Sequence, residues 1–275
     1  MKTELYIIKA LTNLHVGSGD INFDIIDNQV QRDPITNLPN INSSSLKGAF
    51  REHFANGDSE AKIMVNYIFG PENQSNDNHQ TGAFSFFEAQ LLARPVRSNK
   101  RSYFNATSPA VIKTFLEHLE SFAIDFDDEL KKALEEFSNL EPQKGKPLLF
   151  ENIEGTILED YKADYCNFDT KTIEPFLGDS LTLFCDEDFK KIDLPVVARN
   201  YLVNGESKNL WYEEIVPKKT RFYFLIAKPT NIDPKDYDQK IEGFENRFDK
   251  EGEVMQIGAN KSIGYGFCKI TKVAK

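Results

Sequence analysis

Apolar residues fall on alternate positions at Leu5, Ile7 and Leu11, which predicts an extended N-terminal segment. The spacing then changes to a helical one. Leu46, Ala49, Phe50 and Phe54 make the stripe of a short helix, with Ser43-Ser44-Ser45 supplying its cap. A second helix is expected over 58–69, with Ile63, Tyr67 and Ile68 inward and Gly70-Pro71 stopping it. The polar run 72–81 reads as a loop, and 82–96 as a strand with Phe84, Phe86 and Leu91 on one face. Ser108-Pro109 starts a helix whose stripe is Val111, Ile112, Phe115, Leu119 and Phe122. A further acidic helix covers 127–137, and 148–158 returns as a strand.

The segment 193–217 reads as a long β-hairpin, because Asn204-Gly205 is a strong turn dipeptide between two strand-like runs. A buried strand at 219–228 and a helix starting at Asp233-Pro234 follow; Tyr237, Ile241, Phe244 and Phe248 make the helix stripe. Strands at 253–257 and 267–273 close the chain. Strands at both ends flanking helices favour an α+β fold, such as a ferredoxin-like core carrying large insertions. No repeat or linker divides residues 1–275, so a single domain is expected.

Composition narrows the class. No window approaches the eighteen apolar residues of a membrane span, and the N-terminus lacks a signal-peptide core. Cys166, Cys185 and Cys268 are isolated, which reads as reduced thiols in a cytoplasmic protein. The net charge of −10 argues against a nucleic-acid binder at first sight. The acids are uneven, however. They crowd 117–141, while Arg94, Arg97, Lys100 and Arg101, then Lys218, Lys219 and Arg221, form basic strips able to grip a phosphate backbone.

The candidate chemistry lies early in the chain. His15-Val16-Gly17-Ser18-Gly19 ends the first strand, and the acids Asp20, Asp24, Asp27 and Asp33 follow. Asp20 and Asp24 read as solvated positions. Asp27 is held between Ile25-Ile26 and a polar run, where an acid can bind a divalent metal or take a proton from a ribose hydroxyl. Next comes the start of the 46–54 helix, with Lys47 and Arg51 near free backbone N–H groups, an anion site. The run from Gly258 through Lys261 and Gly264 to Gly266 reads equally as a phosphate-facing loop and as a tight turn between two strands. It is not a Walker A loop, which needs a glycine immediately before the Lys-Ser pair. Trp211 and Tyr212 can stack on a base, although aromatic residues in a strand are usually core. No Ser/His or Cys/His set points to acyl transfer.

Several blocks together carry a resemblance. HVGSG (15–19), DNQVQRD (27–33) and LPNINSSSLKGAFR (38–51) resemble the N-terminal signature of RAMP-superfamily CRISPR proteins. FGP (69–71), GAFSFFEAQLLARPVRS (82–98), TSP (107–109), VVARNYLV (196–203), LWYEEIVP (210–217) and MQIGANKSIGYGFCKI (255–270) are similar to the repeated backbone subunit of the type III-B (Cmr) effector complex. The resemblance implies a modified RNA-recognition fold with a protruding hairpin thumb at about 193–217. It implies copies stacked in a filament along a crRNA, beside the other subunits of the complex. It also implies target RNA cut at regular intervals by a metal-dependent endoribonuclease, with magnesium or manganese as the divalent metal. Asp27 then matches the catalytic and metal-binding aspartate and His15 a histidine near the active loop. Tyr212 with Glu213 or Glu214 falls in the block that supports cleavage. Ser45, Lys47, Gly48 and Arg51, with the loop residues Gly258, Lys261, Gly264 and Gly266, match the RNA-binding positions. The alternative reading is a non-catalytic crRNA-binding scaffold.

Overall fold

Strand β1 (Lys2–Ala10) lies in the interior of a mixed sheet because both of its faces bury side chains, Tyr6, Ile8 and Ala10 on one and Leu5 on the other. A computed structural model describes residues 1–19, 25–55, 59–71, 81–231, 241–248 and 252–273 of the protein. β1 pairs antiparallel with β12 (Arg221–Lys228) on one side and with β14 (Phe267–Lys272) on the other. Beyond β14 lies β13 (Glu253–Gln256). Beyond β12 come β3 (Gln90–Val96), β4 (Phe104–Thr107), β9 (Leu181–Leu183), β5 (Leu148–Leu149) and β8 (Asp164–Tyr165), in that order. The two-residue β2 (Ser85–Phe86) also pairs with β12. The architecture is mixed α+β.

Helices cover both faces. α1 (Ser43–Ala55) buries Leu46, Phe50 and Phe54, one turn apart. The Phe50 ring lies 5.6 Å from Phe224 and 5.5 Å from Phe248, and Tyr6 stacks on Phe224 at 5.2 Å. The opposite face carries Tyr223, packed edge-on at 4.9 Å against Phe115 of α3 (Pro109–Ser121). The abundant phenylalanine of this chain thus fills two layers on either side of one sheet.

β10 (Val196–Val203) and β11 (Glu206–Glu214) form a separate antiparallel hairpin. Asn204 and Gly205 both have positive φ, 53° and 85°, the conformation a two-residue hairpin turn requires. Tyr201, Leu202 and Leu210 are exposed near its tip, and burial returns at its root with Glu213 and Glu214.

Several expectations change. Ile63 of α2 (Ser59–Phe69) is 49% exposed while Met64, Val65 and Ile68 are buried. The run Ile63-Met64-Val65 offers adjacent apolar choices, and packing selects the pair in line with Ile68. Leu11 is exposed, because β1 ends at Ala10. The expected strand at 82–96 is two, broken at 87–89, and the one at 148–158 is reduced to β5 and a second two-residue strand, β6 (Ile157–Leu158). The expected starts at Asp58 and at Asp233-Pro234, the Tyr237 position, most of the 72–81 loop, and Asp20 and Asp24 lie outside the described residues. Among the described residues no helix is long and apolar enough to cross a membrane.

Candidate functional site

Four segments meet at the root of the hairpin: the turn after β1, the 25–41 segment, the end of β11 and the 257–266 loop. Their contacts begin with backbone. Asn28 N–H donates to the Tyr212 carbonyl at 3.1 Å, and Glu214 N–H donates to the Asn28 carbonyl at 2.9 Å. The 27–28 segment therefore runs beside β11 as a short parallel partner. Gln31 N–H donates to Val16 O at 2.8 Å, which fastens the same segment to the turn after β1.

Asp27 is exposed, and its Oδ2 accepts the Tyr212 backbone N–H at 2.8 Å. That bond fixes one oxygen and leaves the other without a protein partner among the described residues. The Tyr212 ring stays 39% exposed beside it. Asp33 has a different task. Burial works against its charge, but hydrogen bonds from the Thr36 N–H and hydroxyl and from the Ile35 N–H outweigh it and hold the carboxyl below its ordinary range. Asp33 closes a turn.

The two glutamates are buried, with both oxygens of Glu214 and one of Glu213 engaged by protein. Glu214 is 5% exposed; its Oε2 accepts Val30 N–H at 3.1 Å, and its Oε1 is paired with the Arg32 guanidinium. Glu213 is 4% exposed; its Oε1 accepts Arg199 Nη2–H at 2.7 Å and Asn260 Nδ2–H at 2.9 Å. Arg199 also lies over the Tyr265 ring at 4.6 Å. Glu213 thus joins both hairpin strands to the glycine loop. His15 is buried as well. Its Nδ1–H donates to the Glu214 carbonyl at 2.7 Å, and its own carbonyl accepts Ala259 N–H at 2.8 Å.

That loop is a tight turn around a short 3₁₀ segment, Lys261–Ile263. Gly258 and Gly266 are required there. Both have positive φ, and a Cβ would overlap the carbonyl oxygen of His15 at Gly258 and of Ile257 at Gly266. Gly264, also at positive φ, faces open space. Lys261 Nζ stands 3.6 Å from Glu52 Oε1, which sets the loop beside the outer face of α1. Gly48 on that face is exposed, with open space among the described residues where a Cβ would stand, and Lys47 and Arg51, one helical turn apart, are half-buried. Arg51 Nη2 is enclosed and has no hydrogen-bond partner among the described residues. The Ser45 hydroxyl accepts Gln31 Nε2–H at 3.0 Å, while Gln31 Oε1 accepts Asn42 N–H at 2.8 Å. Gln31 therefore ties the start of α1 to the Asp27 segment. The helix begins at Ser43, so the three serines fill its first turn instead of preceding it.

The structure brings His15, Asp27, Tyr212, Glu213 and Glu214 together at one root. It brings Lys47, Gly48, Arg51 and Lys261 onto one ledge, and the glycine loop spans the two. Sequence reasoning missed Gln31, Arg32, Arg199 and Asn260, the partners that hold the site. The polar alternation of 28–32 was the available signal for the first two, since it marks an extended segment with polar side chains on both faces.

Among the described residues no group of three or more His, Cys, Asp or Glu side chains is arranged to hold a metal. Both Glu214 oxygens and one Glu213 oxygen are engaged by protein and both residues are buried, so among the described residues Asp27 is the exposed carboxylate at the root. A magnesium-type ion accepts one or two carboxylates when phosphate oxygens and water complete its shell. Asp27 fits such a shared site.

The family model of the RAMP superfamily matches residues 7–269. The chain is 30% identical to the CRISPR system Cmr endoribonuclease Cmr4 of Pyrococcus furiosus, across 98% of this chain and 96% of that protein. Its fold is similar to a chain of the type III-B Cmr-beta complex in the apo state, with TM-score 0.78 at 22% identity over 100% of this chain and 98% of that one. It is also similar to a crystal structure of Cmr4, with TM-score 0.70 at 25% identity over the whole of both chains. On these matches the chain belongs to the RAMP superfamily and, within it, to the Cmr4 family.

Proposed function

We propose that the protein is the repeated backbone subunit of a cytoplasmic type III-B CRISPR ribonucleoprotein, which binds a guide RNA along its phosphates and cuts complementary target RNA at regular intervals. The observation that carries this reading is the Asp27 carboxylate, exposed and pinned by Tyr212 N–H beside a cationic ledge, in a chain 30% identical to an endoribonuclease. The strand order β14–β1–β12–β3, with α1 between the first and second of these in the chain, supports a ferredoxin-like palm. The hairpin β10–β11 is its thumb, and the whole chain is one RAMP domain.

The ledge of Lys47, Arg51 and Lys261 takes phosphates and leaves the bases unread, as a guide carrier must. The hairpin splays one nucleotide out of the guide–target duplex. A ribose 2′-hydroxyl beside a splayed nucleotide can align with its own phosphorus, so deformation supplies positioning. Asp27 accepts the hydroxyl proton on its other oxygen as the 2′-oxygen bonds to phosphorus and the 5′-oxygen of the next nucleotide leaves, taking a proton from water. When bound by Asp27 and RNA phosphate oxygens, a divalent metal, magnesium or manganese, would stabilise the charge developing at the cleaved phosphate. His15, Glu213 and Glu214 are positioning residues that hold the hairpin root and glycine loop in register. The acidic net charge is tolerable because each copy covers few phosphates and the filament supplies avidity.

Two tests follow from this geometry. Lys47→Ala/Arg51→Ala should weaken RNA binding by a similar factor for unrelated sequences and lower the salt slope by about one to two. Unchanged affinity and slope would remove α1 from the interface. Deleting 203–209 should leave a folded protein, since Tyr201, Leu202 and Leu210 around the tip bury little. Assembly of the filament or the regular spacing of cuts should fail. A tip-deleted protein that still assembles and cuts at regular steps would show that the hairpin is not the thumb.

A further inference from the structure

A second cationic site lies away from α1, in a cleft of about 470 Å³ at the root of the hairpin, between the Arg94 end of β3 and the turn leading into β12. Its inner wall is Arg94. That residue is only 2% exposed, yet no carboxylate lies within 4 Å of it among the described residues. The two glutamates nearest in charge are already paired, Glu214 with Arg32 and Glu159 with Arg97. One Arg94 nitrogen donates to the Ile192 carbonyl and the guanidinium lies 5.5 Å from the Phe189 ring, but Nε is enclosed with no hydrogen-bond partner among the described residues. Burial lowers the Arg94 pKa to about 10, which leaves it charged at neutral pH. Glu159, Asp193 and Glu214 favour that charge from beyond contact and Arg32 opposes it. The buried guanidinium thus has no directly paired carboxylate among the described residues, and an anion entering the cleft would supply that pairing.

The outer wall has the same sign. Lys218 and Lys219 are exposed at the mouth, and Lys219 Nζ stands 5.4 Å from the Tyr103 ring. Lys219 has φ 76°, in the left-handed region that favours Gly or Asn. Of the facing acids, Glu159 is held by Arg97, and Asp193 is exposed to water. The volume exceeds one phosphate group and suits a nucleotide-sized ligand, with Tyr103 offering a ring beside the cations.

We propose that this cleft is a phosphate-binding site, in which Arg94 from within and Lys218 and Lys219 from the mouth grip one phosphate group of a nucleotide. The group belongs either to an RNA strand crossing the hairpin root or to a free nucleotide. The RNA source rests on the function proposed above; the site itself does not.

The probe is inorganic phosphate added to the full chain, against chloride at matched ionic strength, with melting temperature as the readout. Phosphate should raise the wild-type midpoint by about 2 °C or more beyond chloride. Arg94→Met keeps the volume and removes the charge, and it should abolish that rise. Lys218→Ala/Lys219→Asn alters exposed positions only and should cut the rise by more than half, so it carries the test if Arg94→Met fails to fold. An equal rise in phosphate and chloride, or a rise retained in the foldable variants, overturns the site. RNA binding then separates the sources. A salt slope lower by about one in the variants identifies an RNA phosphate, and an unchanged slope with the phosphate effect lost identifies a free nucleotide. Cleavage dependent on Asp27 is untouched by either result, so failure of this site and failure of the proposed function are told apart.

Discussion

Asp27→Ala is expected to load guide RNA and bind target as the wild type does while cutting roughly 10²–10⁴ times more slowly, the usual effect of losing an essential acid–base group. The site root explains why the loss should be confined to chemistry. Asp27 lies at the surface, so its removal opens no cavity, and among the described residues its one side-chain hydrogen bond is from Tyr212 N–H. Binding is proposed to rest on Lys47, Arg51 and Lys261, which stand on α1 and the glycine loop, and among the described residues no hydrogen bond or ion pair joins them to Asp27. The alanine variant does lose one tie between the 27–28 segment and β11. Asp27→Asn keeps an acceptor for Tyr212 and loses only the charge and basicity. Equal defects in the two variants assign the effect to the carboxylate; a defect in alanine alone assigns it to the tie.

Glu214→Ala should lower stability by about 3–5 kcal/mol, because it leaves the mostly buried Arg32 guanidinium without its partner and Val30 N–H without its acceptor. Equilibrium unfolding in urea measures this directly. Replacing Arg32 as well should destabilise by less than the two single losses added, since the uncompensated charge leaves with it. Cleavage should fall too, as a consequence of loosening: Val30, Arg32 and Asp27 lie on one extended segment, and Glu214 is the clamp holding it to β11. A fully stable Glu214→Ala protein would mean that the pair contributes nothing to the root.

Local pattern was legible and long-range pairing was not. The stripe of Leu46, Phe50 and Phe54 fixes α1 because one turn of helix is a short-range rule. Asn204-Gly205 fixes the hairpin because its positive φ values are a property of those two residues. The role of Glu214 was open between reactant and scaffold, since its partner Arg32 is 182 residues away in the chain. Glu213 was equally open, since its partners Arg199 and Asn260 stand 14 and 47 residues away in the chain. The glycine loop left two readings standing, and the clash awaiting a Cβ at Gly258 and Gly266 accounts for two of its glycines as turn formers. Gly264 faces open space and keeps the phosphate reading available alongside the turn. Where adjacent residues were all apolar, as at Ile63-Met64-Val65, periodicity had no means of choosing the buried face.

The most direct measurement is single-turnover cleavage of an end-labelled target by complexes reconstituted with wild type, Asp27→Asn or Asp24→Asn, with bound target quantified in the same samples. The wild type and Asp24→Asn should cut at matching rates and regular positions, and Asp27→Asn should bind the target fully and leave it intact. Cutting at the wild-type rate by Asp27→Asn would contradict the assignment of the reaction to this carboxylate.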